Sequence, residues 1–384
     1  GEGDELSFTA AATDTDAGQT LAFSATGLPP GAGIDPSTGA FTWIVGYAQG
    51  GTHEVTVTVT DDGVPPLSDS ETFSIMVAEV PYARNDFDGD GKADILWRNT
   101  DGDVSLWLMD GLMCLSSGSL GRIGAAWSIA ATADFDGDRK TDILWRHSDG
   151  RASLWLMDGL TVASSGSLET GGAGWQIEKV ADFNADFRAD ILWRVDGSIL
   201  DLWLMDGLTM LALPIPFVGA GVPPMGAPDP TWGIAKAADF NGDSRADILW
   251  RNGAGALRLW LMDGAAVEWA GSAGTMDSGW EMAAAPDRDG DGRADLLWRA
   301  TAGGLTFWFM DGPATLSTDA SPGLDQSWGI GDIADFDGDG GGDILWRKAY
   351  EPLQLWGSDG RGMAGAYDAA AGVYGPEWVI QNSR

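Results

Sequence analysis

Six stretches of the chain carry carboxylates at a spacing that could hold a metal ion, each reading D-x-[DN]-x-D-x-x-x-D. They supply Asp86, Asp88, Asp90 and Asp94; Asp134, Asp136, Asp138 and Asp142; Asp182, Asn184, Asp186 and Asp190; Asp239, Asn241, Asp243 and Asp247; Asp287, Asp289, Asp291 and Asp295; and Asp335, Asp337, Asp339 and Asp343. Carboxylates crowded in this way repel strongly unless a cation neutralises them. Oxygen-only ligands between glycine turns suit a hard ion, and calcium accepts more oxygens in looser geometry than magnesium. Ligands at positions 1, 3, 5 and 9, with a backbone carbonyl at 7, match an EF-hand loop without its flanking helices and without Glu at 12. One such loop alone could be a solvated acidic turn. Six, with every ligand position kept as Asp or Asn, point to calcium, up to one ion per loop.

The loops hold 22 of the 57 acidic charges, so six calcium ions would move the net charge from -35 to -23. They are not equivalent. The sixth position favours glycine for its backbone bend. Gly91, Gly292 and Gly340 supply it, whereas Arg139, Phe187 and Ser244 stand there in repeats 2, 3 and 4. Repeat 3 also has Ala185 where glycine is usual, and is expected to be the weakest site.

The elements that position the loops belong to a repeat. The first Asp of each loop advances in steps of 48, 48, 57, 48 and 48 residues. The template runs W-x-I, acidic loop, D-I-L-W-R, a Gly-rich turn, L-W-L-M-D-G, then a small-residue segment such as ASSGSL, and 18 of the 20 tryptophans sit on it. Each repeat reads as four short strands, the fourth the weakest, and the continuous apolar runs predict burial on both faces. Four-stranded units of this length are propeller blades; a β-solenoid is the competing geometry. The last segment, Trp378-Val379-Ile380, is a W-x-I strand with no loop after it, and the first repeat lacks one. The fold expected is therefore all-β, with residues 80–384 a six-bladed propeller closed by its C-terminal strand. Residues 1–79 lack the repeat and alternate apolar and polar residues, as in VTVTVT, which predicts a small β-sandwich.

Composition narrows the function. A net charge of -35 excludes a nucleic-acid binder and disfavours an anionic membrane surface. No apolar run is long enough to span a membrane, so no membrane insertion is expected. Cys114 is the only cysteine, which leaves the redox compartment open. No signal peptide stands at Gly1, so the sequence reads as a mature form, a fragment or a cytosolic protein. His53 and His147 fall in different domains, and no nucleophile–base pair is evident, so an enzyme is not expected. Two further sets recur: Arg98, Arg146, Arg194, Arg251, Arg299 and Arg347, and Asp110, Asp158, Asp206, Asp263, Asp311 and Asp359. They read as structural ion pairs or Arg–Trp stacking.

The stretch DFDGDGKADILWR resembles the FG-GAP/VCBS repeat, the calcium-binding blade of integrin-type propellers and of a fungal propeller lectin. The resemblance covers roughly 86–380 and implies calcium in each loop, an extracellular or cell-surface setting and adhesion or recognition. The front segment, from DELSFTAAATDTD to VTVTVTDDG, is similar to the Ig-like or cadherin-like modules of bacterial surface proteins. Such modules open with a strand ahead of DELSF. Only three residues precede it here, so either the chain is a piece of a longer one or a neighbour supplies the strand.

Two functions follow as expectations. One is a non-enzymatic module binding a glycan or surface protein; the other is a structural subunit of a filament, sheath or layer that packs on copies of itself. The nine-residue excess between repeats 3 and 4 lies in LALPIPFVGAGVPPMGAPDP and reads as an apolar loop leaving the propeller. Its Ile215, Phe217, Val218, Val222 and Met225, with the off-template Trp269, are the candidate partner contacts.

Overall fold

The computed structural model describes residues 5–16, 18–29, 31–44, 51–77, 83–168, 172–195, 199–211, 215–216, 231–289, 291–357 and 375–382. The chain divides into two compact units, Gly1–Pro81 and Tyr82–Arg384. The first has Ig-like sheets. Glu5–Thr9 and Ala32–Ile34 flank Ala40–Ile44, while Leu21–Thr26 and Ser68–Val77 flank Gly51–Asp61. Phe41, Trp43, Val55 and Val77 are buried between them, and the Phe8 ring stacks on Phe41 at 4.6 Å.

The second unit is a propeller-like array of antiparallel sheets. In repeat 2 the order is Trp127–Ala133, Asp142–His147, Ala152–Asp158, Thr161–Leu168, and repeats 4 and 5 follow the same order. In repeat 1 the innermost strand is Trp378–Ile380, which pairs Trp378 with Asn99 and Ile380 with Trp97. Every residue of Ile95-Leu96-Trp97 is buried, because sheets pack on both of its faces. Each hydrophobic cluster joins one repeat to the next; the last joins Phe336 and Leu345 of repeat 6 to Ile95 and Trp97 of repeat 1. Within each sheet the second- and third-strand tryptophans meet, as Trp97 and Trp107 do at 5.2 Å.

Two expectations need correction. The outer strand is not a weak element: Met113–Arg122 and Ala266–Thr275 are ten residues long, though largely exposed. Its small residues reflect close packing, since a Cβ on Gly118 or Gly166 would press on Leu160 or Leu208 of the following repeat at 3.4 or 3.3 Å. The insertion does not simply leave the sheet. Ile215–Pro216 pairs with Asp201 and Leu202 as the outermost strand of repeat 3. Proline is tolerated there because an edge strand need not donate outward. Phe217, Val218, Val222 and Met225 lie outside the described residues.

Candidate functional site: the acidic loops

In repeats 2 to 6 the acidic loop links the inner strand of its sheet to the D-I-L-W-R strand; in repeat 1, whose inner strand is Trp378–Ile380, it leads directly into Ile95–Asn99. Its first Asp organises the turn. Asp86 Oδ1 accepts the Gly89 amide at 2.7 Å and Oδ2 the Gly91 amide at 2.8 Å. Asp134, Asp182, Asp239 and Asp335 clamp the amides of their fourth and sixth positions in the same way. For those amides to point inward, the chain turns left-handed at both positions. The φ values are 80° and 85° at Gly89 and Gly91, and still 61° and 64° at Ala185 and Phe187. Non-glycine residues pay for this conformation, about 1 kcal/mol or more each. Repeat 3 carries two such residues, which is the physical basis for expecting it to be weakest. Replacing both Ala185 and Phe187 with Gly should raise the melting temperature and tighten calcium binding at that loop, read by calorimetric titration; unchanged affinity would remove strain as the cause.

The ninth-position Asp is a staple as well as a candidate ligand. Asp94 is fully buried; its Oδ2 accepts the Phe87 amide at 2.7 Å and its Oδ1 the Met109 amide at 2.8 Å. Asp142, Asp190, Asp247 and Asp295 repeat both bonds, and Asp343 makes the first of them with Phe336. The fifth-position carboxylate takes the seventh-position amide, as Asp90 does from Lys92 at 2.9 Å. Among the described residues, carboxylate oxygens converge within 4.8 Å in four loops: Asp86, Asp88 and Asp94; Asp134, Asp136 and Asp142; Asp287, Asp289 and Asp291; Asp335, Asp337 and Asp339. In repeats 3 and 4 the Asn184 and Asn241 amides instead donate to Asp186 and Asp243 at 3.1 and 3.0 Å, which lowers the charge to be neutralised.

Burial sets the electrostatics. It pushes the Asp86 carboxyl up to about 7 and Asp94 up to about 8, against the backbone amides that favour the ionised form and with the neighbouring carboxylates adding to the rise. Asp134 rises to about 6 and Asp142 to about 8 for the same first reason. Without a cation Asp94 and Asp142 hold protons at neutral pH and Asp86 does so in part, whereas Asp134 loses its proton a little below it; a divalent ion among them would displace those protons. Oxygen donors converging this closely fit a hard cation at 2.3–2.6 Å from each ligand.

The loops are also joined to one another. The eighth-position amide of each donates to the first-position carbonyl of the loop before: Thr141 to Asp86 and Ala189 to Asp134 at 2.6 Å, onward to Gly342 and Asp287 at 3.3 Å, with Ala93 to Asp335 at 2.7 Å completing the cycle. The seventh position is a residue that the sequence reading missed. Lys92, Lys140, Arg188, Arg245 and Arg293 pair with Asp110, Asp158, Asp206, Asp263 and Asp311 at 2.6 to 3.4 Å. These recurrent aspartates therefore do not pair with the strand-end arginines. Instead Arg98, Arg146, Arg251, Arg299 and Arg347 lie over Trp145, Trp193, Trp298, Trp346 and Trp97 of the next sheet at 5.0 to 5.5 Å, while Arg194 pairs with Glu178. Asp359 lies outside the described residues. Trp269 sits on an outer strand, 38% exposed, with its ring laid against Gly271.

Residues 1–78 match the family described as "Putative Ig domain", and residues 86–145, 134–193 and 239–298 match the FG-GAP-like repeat. Each matched FG-GAP span runs from one acidic loop through the D-I-L-W strand of the next repeat. No curated protein matches the chain. Among solved structures, the Cps50 (Swd1) β-propeller domain of Myceliophteria thermophila is 12% identical, with a TM-score of 0.38, over 75% of this chain and 86% of that one. Raptor of Chaetomium thermophilum is 13% identical, with a TM-score of 0.37, over 73% of this chain and 25% of that one.

Proposed function

We propose that this chain, an Ig-family domain followed by FG-GAP-like repeats, is a calcium-stabilised, non-enzymatic recognition module that works outside the cell or at a bacterial surface. Its architecture is typical of surface adhesion-type proteins. The repeats close into a six-bladed propeller, with one calcium site per acidic loop at most and repeat 3 the weakest. The observation that carries this reading is the set of converging carboxylates, in four of the loops among the described residues, on loops linked in a cycle. An ion in such a loop braces the start of its D-I-L-W-R strand and leaves the exposed surfaces free to bind a glycan or a surface protein.

A second reading, a subunit of a filament, sheath or layer, is favoured by the long outer strands, whose Met113, Leu115 and Leu316 are more than half exposed. Such edges can pair with copies of the chain. Glycan-array binding and oligomeric state, each measured with calcium and with chelator, separate the two. Calcium-dependent glycan binding by a monomer, weakened tenfold or more by Trp269→Ser, supports recognition. Calcium-dependent assembly without glycan binding supports the structural subunit. Neither result in either assay would sink both. Replacing 217–225 by a Gly-Ser linker, which spares Ile215 and Pro216, is expected to weaken assembly or partner binding while leaving folding intact.

A further inference from the structure

A cavity of about 580 Å³ lies where the inner strands of repeats 2 to 6 converge, with Arg84 and Asn382 also on its wall. By formal count its wall carries four basic residues, Arg84, Lys179, Lys236 and Arg299, against three acidic ones, Glu178, Glu281 and Asp332, the reverse of the balance in the chain. The protein has 57 acidic and 22 basic residues, yet Arg84, Lys179 and Lys236 all line this one space. The two lysines hold equivalent places. Each stands three residues before the first Asp of its loop, directly after a one-residue register shift in the inner strand, at Ile177/Lys179 and Ile234/Lys236. Repeats 2, 5 and 6 have Ala131, Ala284 and Asp332 there. The shift is what lets successive inner strands deliver matching side chains to the same level of the cavity.

The acidic groups on the wall are mostly committed elsewhere. Glu178 is held by Arg194 at 2.5 Å. Asp332 accepts the Asn85 and Asn382 amides at 2.9 and 2.8 Å, and burial raises its carboxyl above the usual range. Glu281 remains as counter-charge near Lys236. Lys236 donates to the Ala283 carbonyl at 3.1 Å, which uses one of its three protons. Burial, and after it the neighbouring charges of Arg84 and Lys179, push the Lys236 amine down to about 8. An anion entering the cavity would relieve the crowding of Arg84, Lys179 and Lys236 in a half-enclosed space where charge–charge attraction is stronger than in bulk water. The volume falls in the range of small-molecule sites.

We infer that this cavity is a binding site for a small organic anion, a carboxylate or phosphate ester of about monosaccharide size, whose charged group is held between Lys179 and Lys236 with Arg84 as a third donor. The site is independent of what fills the acidic loops. It is tested by titration calorimetry on the calcium-loaded full chain with glucuronate and with glucose 1-phosphate, and with glucose as the neutral control. Binding of either anion but not of glucose, weakened tenfold or more by Lys179→Met or Lys236→Met, supports the site; which anion binds identifies the charged group. No binding by either anion, or binding that both variants leave unchanged, overturns it. Should the Met variants fail to fold, the wild-type chain gives the answer: either anion should slow reductive methylation of Lys179 and Lys236 at least threefold relative to Lys92, and equal rates overturn the inference.

Discussion

Chelating calcium from the intact chain is expected to lower the melting temperature of the repeat unit by roughly ten degrees or more while Gly1–Pro81 melts where it did. An ion that binds only the folded loops at 100 times its dissociation constant contributes about 2.7 kcal/mol per site. Filling only the four loops with three converging carboxylates would give about 11 kcal/mol. The Ig-like unit lacks such a cluster among its described residues, so it serves as the internal control. The same carboxylates set a pH dependence. Asp86 and Asp94 titrate at about 7 and about 8 when folded, against 3.8 ordinarily. Between those values the folded chain holds protons that the unfolded chain has lost, so the stability they contribute is complete below about pH 4 and is lost as pH rises through 7 to 8. In chelator, therefore, the melting temperature should fall between pH 5 and pH 8. With calcium it should fall less, because the ion replaces the protons, and the gap between the two conditions should widen with pH. Calorimetric scans at both pH values decide it; a gap that is constant or that narrows toward pH 8 would exclude calcium bound by these groups.

How much of this was readable in the sequence depended on repetition. The positions of Asp86, Asp88 and Asp90 recur six times, so their shared chemistry is visible without a fold. The ninth-position Asp recurs just as often, but its two amide bonds come from Phe87 and from Met109, 15 residues away, and that geometry exists only once the third strand is paired. Lys92 and its counterparts left a signal, a basic residue at the seventh position of five loops, that was read only as the carbonyl-supplying position. The strand-end arginines and the recurrent aspartates have equal numbers and fixed spacing, which left ion pairing and Arg–Trp stacking both open; the arginines stack on the next tryptophan, and the aspartates take the seventh-position cation. Ile215–Pro216 was misread because six prolines in that segment argued against a central blade strand, and the edge position, which accepts them, was passed over for a loop. Asn85 and Asp332 stand at repeat positions where other repeats carry different residues, and Asn382 stands past the last repeated segment, so no periodic signal could have marked them.

Those three residues lead to the second large effect, on deleting 375–384. Trp378 and Ile380 pack on the cluster that joins repeats 6 and 1. The Asn382 side chain accepts the Leu96 amide at 2.8 Å and donates to the Asp94 carbonyl at 2.6 Å and to Asp332 at 2.8 Å. Asp332 also takes the Asn85 amide, whose oxygen accepts the Thr132 hydroxyl at 2.7 Å. One buried network thus holds repeats 1, 2 and 6 together, and its members have no water to turn to if it is broken. The deletion bares the Ile95–Asn99 strand, whose backbone then offers an open edge to other chains. It should leave the protein largely insoluble at expression temperature. A single Asn382→Ala isolates the polar part of that loss: it strands the Leu96 amide and removes a donor from Asp332, at a cost of about 2–4 kcal/mol. Its measure is the denaturant midpoint at unchanged slope. If the deletion stays soluble and melts with the full chain, or if Asn382→Ala shifts the midpoint no more than a surface substitution such as Gln381→Ala, then the C-terminal strand does not close the array.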